Sequence, residues 1–180
     1  GEAGLYPGAA DGSGRTFLQR FERSSGRYAN VVGFIPGSDV RLREEYIVLG
    51  AHYDHLGYRV RGGDTVVYHG ADDNASGVAV LLEAARRLKE REGELKRTVI
   101  VVAFDADNME VDKVKFMASI DMVGWLREAG CLKIRNVGSL AGGKELFEAV
   151  PCPAGLEVKT TEGNGSPFTG SDHDSFAARN

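Results

Sequence analysis

The chain has 180 residues, is 42% hydrophobic and carries a formal net charge of −4 from 22 basic and 26 acidic side chains. That length supports one sizeable core rather than two. The signs are mixed along the chain, which excludes a basic stripe for nucleic acid and a polybasic segment for an anionic membrane; apolar runs such as Val99 to Phe104 are far too short to span a bilayer.

Residues 1–14 are rich in Gly, Ala and Pro, without the basic start or apolar block of a secretory signal, and are expected to form an irregular arm. "NVVGFIPG" (Asn30 to Gly37) has a strand-like core closed by Pro-Gly. "EYIVLGAH" (Glu45 to His52) is a continuous apolar run of strand length, the pattern of a strand buried on both faces. "TVVYHG" is a further short β candidate. From Ala75 the period changes: Val78, Leu81, Leu82, Ala85 and Leu88 recur at three and four residues, with Arg86, Arg87, Lys89 and Glu90 facing away, which predicts an amphipathic helix. "RTVIVVAFDA" (Arg97 to Ala106) reads as another doubly buried strand, and "KVKFMASIDMVG" as one ending near Asp121. "LKIRNV" and "LEVKTT" read as β, "GGKELFEAV" as helical, and "SDHDSFAAR" as a helix capped by Ser171 or Asp172. Cys131 and Cys152 form no metal-type pair and read as ordinary thiols.

Fully buried strands alternating with amphipathic helices predict an α/β fold, a three-layer α/β/α sandwich around a largely parallel, mixed sheet. In such folds ligands gather at the carboxyl ends of strands. His52 with Asp54, Asp105 with Asp107, and Asp121 each stand at such an end. A third acidic group, "GADDNASG" (Gly70 to Gly77), precedes the long helix; a helix cap explains one of Asp72, Asp73 and Asn74 but not all three. Imidazole with carboxylates, and no thiolate, suits zinc or a similar divalent ion. Asp54 is spaced to orient a ligand from behind.

"GAHYDHLG", "GADDNASG", "VVAFDA", "IDMVG" and "SDHDSF", in this order, resemble the zinc aminopeptidases of metallopeptidase family 28, whose fold is shared by glutamate carboxypeptidase and glutaminyl cyclase. The resemblance implies that His52 and Asp121 bind one zinc ion and that Asp73 bridges it to a second. It implies that Asp54 steadies the site and that the Asp73–Asn74 bond is cis. The activity implied is a metal-dependent exopeptidase, most commonly an aminopeptidase acting on peptide substrates through a metal-activated water. Carboxypeptidase, glutaminyl cyclase and a non-catalytic metal- and peptide-binding module are the alternatives. Family members often act outside the cytoplasm, so a secreted or periplasmic location is implied by analogy.

The chain also departs from the family pattern. After "AFDA" the family has two glutamates, the first a general base and the second a ligand of the other metal; here Asp107 and Asn108 stand in their places. Asp107 is thus the candidate for the base, one methylene short. Residues 1–180 read as a single metallopeptidase-type catalytic domain, with a family segment missing near 106–111 and an early end at 180, before the family's terminal ligand histidine. Either the enzyme is degenerate or truncated, or the molecule has residues that this sequence omits. His173 falls where the family approaches its substrate pocket, and it is assigned a structural role.

Overall fold

The computed structural model describes residues 4–106 and 113–162. They fall into two compact units that divide between Met122 and Val123.

The first unit opens with short strands: β1 (Tyr6–Pro7), then β2 (Ala9–Asp11) and β3 (Gly14–Thr16), which pair with one another. The arm expected to be irregular is therefore paired structure. Tyr6 and Pro7 lie opposite Phe34 and Gly33, and the Tyr6 ring meets Phe34 at 5.6 Å between centroids. Strand β4 (Leu18–Arg23) and the long β5 (Gly26–Ile35) form an antiparallel hairpin. Next come β6 (Tyr46–His52) and an exposed hairpin of β7 (Tyr58–Arg61) and β8 (Asp64–Val67). A broken turn, Ala71–Ser76, leads into helix α1 (Gly77–Glu90), followed by β9 (Thr98–Phe104) and β10 (Val114–Ser119).

These strands build one mixed sheet in the order β1–β5–β9–β6–β10, with β4 also on β5. Strand β5 pairs antiparallel with β1, β4 and β9, whereas β6 is parallel to both β9 and β10. The fold is α/β, as the alternating pattern predicts, and it is parallel where the polar strand ends gather. On one face Leu81 and Ala85 of α1 pack against Ile35, Ala51, Val99 and Val101; on the other Val32, Val48, Val102 and Phe104 form a second cluster. Burial of a side chain such as Leu81 contributes about 1.5–3 kcal/mol. Leu82, expected on the buried stripe, is 55% exposed. The buried line runs through Leu81 and Ala85 with Val78 and Leu88 beside it, and Leu82 stands about 100° further round the helix.

The second unit contains α2 (Leu126–Ala129), β11 (Cys131–Ile134), α3 (Gly143–Glu148) and β12 (Glu157–Thr160), with β11 and β12 parallel. The two strands and the helix expected here are present. Cys131 and Cys152 are free thiols. The helix expected from Ser171 lies outside the described residues.

Candidate metal centre

Three chain segments bring carboxylates and an imidazole together at the carboxyl end of the parallel strands. His52 is the last residue of β6. Its neighbour β10 runs in register with β6 up to Ser119 opposite Gly50, and the Ile120 N–H donates to the Gly50 carbonyl at 2.8 Å. Asp121 therefore emerges beside His52 because two parallel strands end at the same level. Asp73 arrives from the turn before α1, where its backbone (φ −107°, ψ 90°) leaves helical geometry. The Asp73–Asn74 bond is cis. His52 Nε2 lies 3.2 Å from Asp73 Oδ1 and 3.4 Å from Asp121 Oδ1.

Asn74 fixes this meeting point. Its side chain is 2% exposed. The amide nitrogen donates to the Ile120 carbonyl at 2.9 Å, and the amide oxygen accepts from the N–H groups of Gly77 at 3.0 Å and Met122 at 3.2 Å. One side chain thus ties the segment bearing Asp73 to the segment bearing Asp121. Gly77 leaves the space: a Cβ there would come within 2.3 Å of both Asn74 Oδ1 and the Ile120 carbonyl oxygen. Sequence reasoning treats Asn74 as a capping candidate and as a partner in the cis bond, and gives its side chain no role in joining the ligand segments. The signal that marks it is the Asn three residues ahead of a Gly at the helix start, a spacing that lets the side chain reach that N–H.

The charge arrangement at His52 tests whether a cation fits. Nδ1 lies 3.1 Å from the Asp54 main-chain carbonyl and 3.5 Å from its carboxylate. Both can only accept, so the ring proton is assigned to Nδ1. Nε2 then turns a lone pair towards two carboxylate oxygens, one of which, Asp121 Oδ1, is buried without a hydrogen-bond donor. Three electron-rich atoms facing one another repel unless a positive centre lies between them. Donor atoms around a tetrahedral zinc with bonds of about 2.0–2.1 Å stand roughly 3.3 Å apart, close to the spacings found. The ligand atoms of His52, Asp73 and Asp121 all lie within 4.8 Å of one another. The residues fit a divalent cation.

Asp105, which the strand-end argument groups with these residues, does not join them. Its Oδ2 accepts from the Ala29 N–H at 3.0 Å and the Tyr53 hydroxyl at 3.2 Å, while its own N–H donates to Asn30 Oδ1 at 2.9 Å. The antiparallel partner β5 lies alongside the end of β9 and takes this acid. Tyr53 also donates to the Ala29 carbonyl at 2.6 Å. Partial burial pushes its phenol above the ordinary range, and the Asp105 charge adds to that. Asp72 accepts from the Ser76 hydroxyl within the turn. Asp107 and His173 lie outside the described residues.

Comparison with known proteins bears on the same region. The profile described as Peptidase family M28 matches residues 30–180. The glutamate carboxypeptidase 2 homologue of Caenorhabditis briggsae is 34% identical over 107 residues, which is 57% of this chain and 12% of that protein. YfbL of Escherichia coli (strain K12), an uncharacterised protein, is 33% identical over 121 residues, 59% of this chain and 36% of its own length. Among solved structures, LapB from Legionella pneumophila superposes with a TM-score of 0.55 at 23% identity, covering 90% of this chain and 46% of LapB. BSAP, a zinc aminopeptidase from Bacillus subtilis, superposes with a TM-score of 0.51 at 20% identity, covering 86% of this chain and 38% of BSAP. The solved structures share the fold, and the chain spans less than half the length of each of these relatives. A profile match that runs from Asn30 in β5 through His52, Asp73 and Asp121 covers both the sheet and the clustered ligands, and the chain belongs to peptidase family M28.

Proposed function

We propose that this protein is a zinc-dependent exopeptidase that removes amino-terminal residues from peptides. The convergence of His52, Asp73 and Asp121 at the spacing of a divalent-ion shell carries this reading. These three would hold the ion, and one neutral imidazole with two carboxylates suits zinc. When bound, such an ion polarises an amide carbonyl and brings the pKa of water from ~15.7 towards ~7.

The protein's own groups have separable tasks. The Asp54 carbonyl keeps His52 in the tautomer that presents Nε2. Asn74 sets the separation of Asp73 and Asp121. Asp107 is assigned the base: it takes a proton from the attacking water and passes it to the leaving amine. Replacing Asp107 by Asn is expected to abolish turnover and leave zinc content unchanged; retained turnover removes it from the mechanism. We also assign the protein to the periplasm or the exterior by family analogy, and fractionation of the source cells checks that.

The deciding assay is hydrolysis of a chromogenic amino-acid anilide by the purified chain. Turnover that a chelator abolishes and zinc restores supports the aminopeptidase. The 34% identity to a glutamate carboxypeptidase 2 homologue favours carboxypeptidase as the second reading. Release of the last residue from an amino-terminally acetylated peptide, with no anilide turnover, would establish it instead. Zinc binding with neither reaction leaves a metal- and peptide-binding module.

A further inference from the structure

We propose that Tyr53 is a positioning residue for the metal centre: its hydroxyl, fastened across the sheet to the main chain of Ala29 and to Asp105, stakes down the backbone between His52 and Asp54. The inference rests on the metal reading above. Tyr53 stands between the two residues that present the imidazole, because His52 is the ligand and the Asp54 carbonyl meets its Nδ1 at 3.1 Å. Any swing of the Tyr53 main chain therefore moves both. The chain here has just left β6, and the Tyr53 N–H donates to the Phe104 carbonyl at 2.9 Å. With that bond the ladder between β6 and β9 ends.

The side chain supplies the second hold. In the sheet β9 lies between β6 and β5, so the ring passes over the end of β9 to reach Ala29, two strand spacings or about 9–10 Å across. There the hydroxyl donates to the Ala29 carbonyl at 2.6 Å and approaches Asp105 Oδ2 at 3.2 Å. It has one proton to give, and the nearer carbonyl is its main acceptor. Asp105 Oδ2 also accepts from the Ala29 N–H at 3.0 Å, so the acid keeps that carbonyl's own residue in place. Behind it the fully buried Asn30 accepts from the Asp105 N–H at 2.9 Å and donates to Gln19 at 3.0 Å. The anchorage thus reaches the core of the first unit. Tyr53 itself is 44% exposed, so burial alone does not fix the ring; the hydroxyl bonds do. Its oxygen is engaged on β5, and the metal-competent group among the described residues is His52, Asp73 and Asp121. Tyr53 therefore acts through His52 and does not touch the proposed ion.

Partners that hold a ligand from outside the coordination shell are worth ~10–100-fold in metal affinity. Tyr53 acts one step further back, which puts its effect at the low end. The test is zinc titration by calorimetry on the whole chain, for the wild type, Y53F and D105N. The melting temperature of each metal-free protein and the visible spectrum of each cobalt form go with it. Phe keeps the ring and deletes the hydroxyl. Asn keeps, in its amide oxygen, an acceptor for both the hydroxyl and the Ala29 N–H. Expected is a zinc affinity ~10-fold weaker in Y53F at unchanged stoichiometry, with an altered cobalt band. Affinity and band in D105N should stay close to wild type. Equal affinity in wild type and Y53F overturns the inference, and a lowered melting temperature alongside it reduces Tyr53 to a packing role. A loss in D105N as large as that in Y53F also overturns it, because the Asp105 charge rather than the anchored hydroxyl would then set the site. If the wild type binds no divalent ion, the metal reading itself fails, and the inference goes with it.

Discussion

At His52 one ring nitrogen is committed to the Asp54 carbonyl, so the effect of each nearby substitution depends on which atom it removes. Asp54→Ala deletes a carboxylate at 3.5 Å but keeps the carbonyl at 3.1 Å. The expected loss of zinc affinity is therefore about tenfold, the low end of the range for an outer partner. Asp121→Ala removes an atom of the shell itself, and its loss should be far larger; competition with a chromophoric chelator ranks the two. If Asp54→Ala weakens binding as much as Asp121→Ala, the carboxylate rather than the carbonyl orients the ring. Asn74→Ala acts differently, because it strips partners from the Ile120 carbonyl and the Met122 N–H, while the Gly77 N–H keeps the Asn74 main-chain carbonyl as acceptor. Each buried group left unpaired costs about 1–3 kcal/mol. With Met122 open to water, urea unfolding should show a total of about 2 kcal/mol, together with weakened zinc binding because Asp73 and Asp121 are no longer tied.

Elements were legible in the sequence where one residue type repeats at one period. Strands β6 and β9 are doubly buried, and their unbroken apolar runs say so directly. Helix α1 shows its stripe, although Leu82 belongs to the rim of that stripe and not to its centre. The N-terminal strands β1 to β3 are two or three residues long and rich in Gly and Ala, too short for any period to register. β1 is a strand only because β5, distant in the chain, pairs with it. The same reason hides the fate of Asp105: its partners Ala29 and Tyr53 come from other elements. The ligand-bearing strand ends could be read because parallel strands end at one level. The clasp made by Asn74 could not, since it depends on where β10 stops.

On the outer surface of α1, Glu83 accepts from Arg86 and Arg87, and these hydrogen bonds push its carboxyl down to about 2. An unperturbed glutamate titrates near 4.3. A depressed carboxyl contributes stability above its unfolded pKa and loses it as pH falls through the folded value. The melting-temperature gap between wild type and Glu83→Gln should thus be constant from pH 7 to about pH 5 and close by about pH 2. The gap itself should be small, because the whole cluster is solvent-screened. A gap still open at pH 2 would show that Gln costs stability for a reason other than charge.

For the whole molecule, the proposed ion acts as a cross-link between parts far apart in the chain: the end of β6, the turn before α1 and the segment after β10. A ligand that binds only the folded state stabilises it by RT ln(1 + [L]/Kd), about 2.7 kcal/mol at one hundred times Kd. Urea unfolding with zinc at that excess should shift by this amount and return with chelator. Hydrogen exchange can locate the gain, because local opening of either strand end breaks the shell while fraying elsewhere leaves it intact. The slowing should concentrate at the carboxyl ends of Tyr46–His52 and Val114–Ser119 and at the Gly77 and Met122 amides, which also depend on Asn74. Zinc that stabilises the protein yet spares those amides would bind somewhere other than His52, Asp73 and Asp121, and the peptidase reading would lose the observation that carries it.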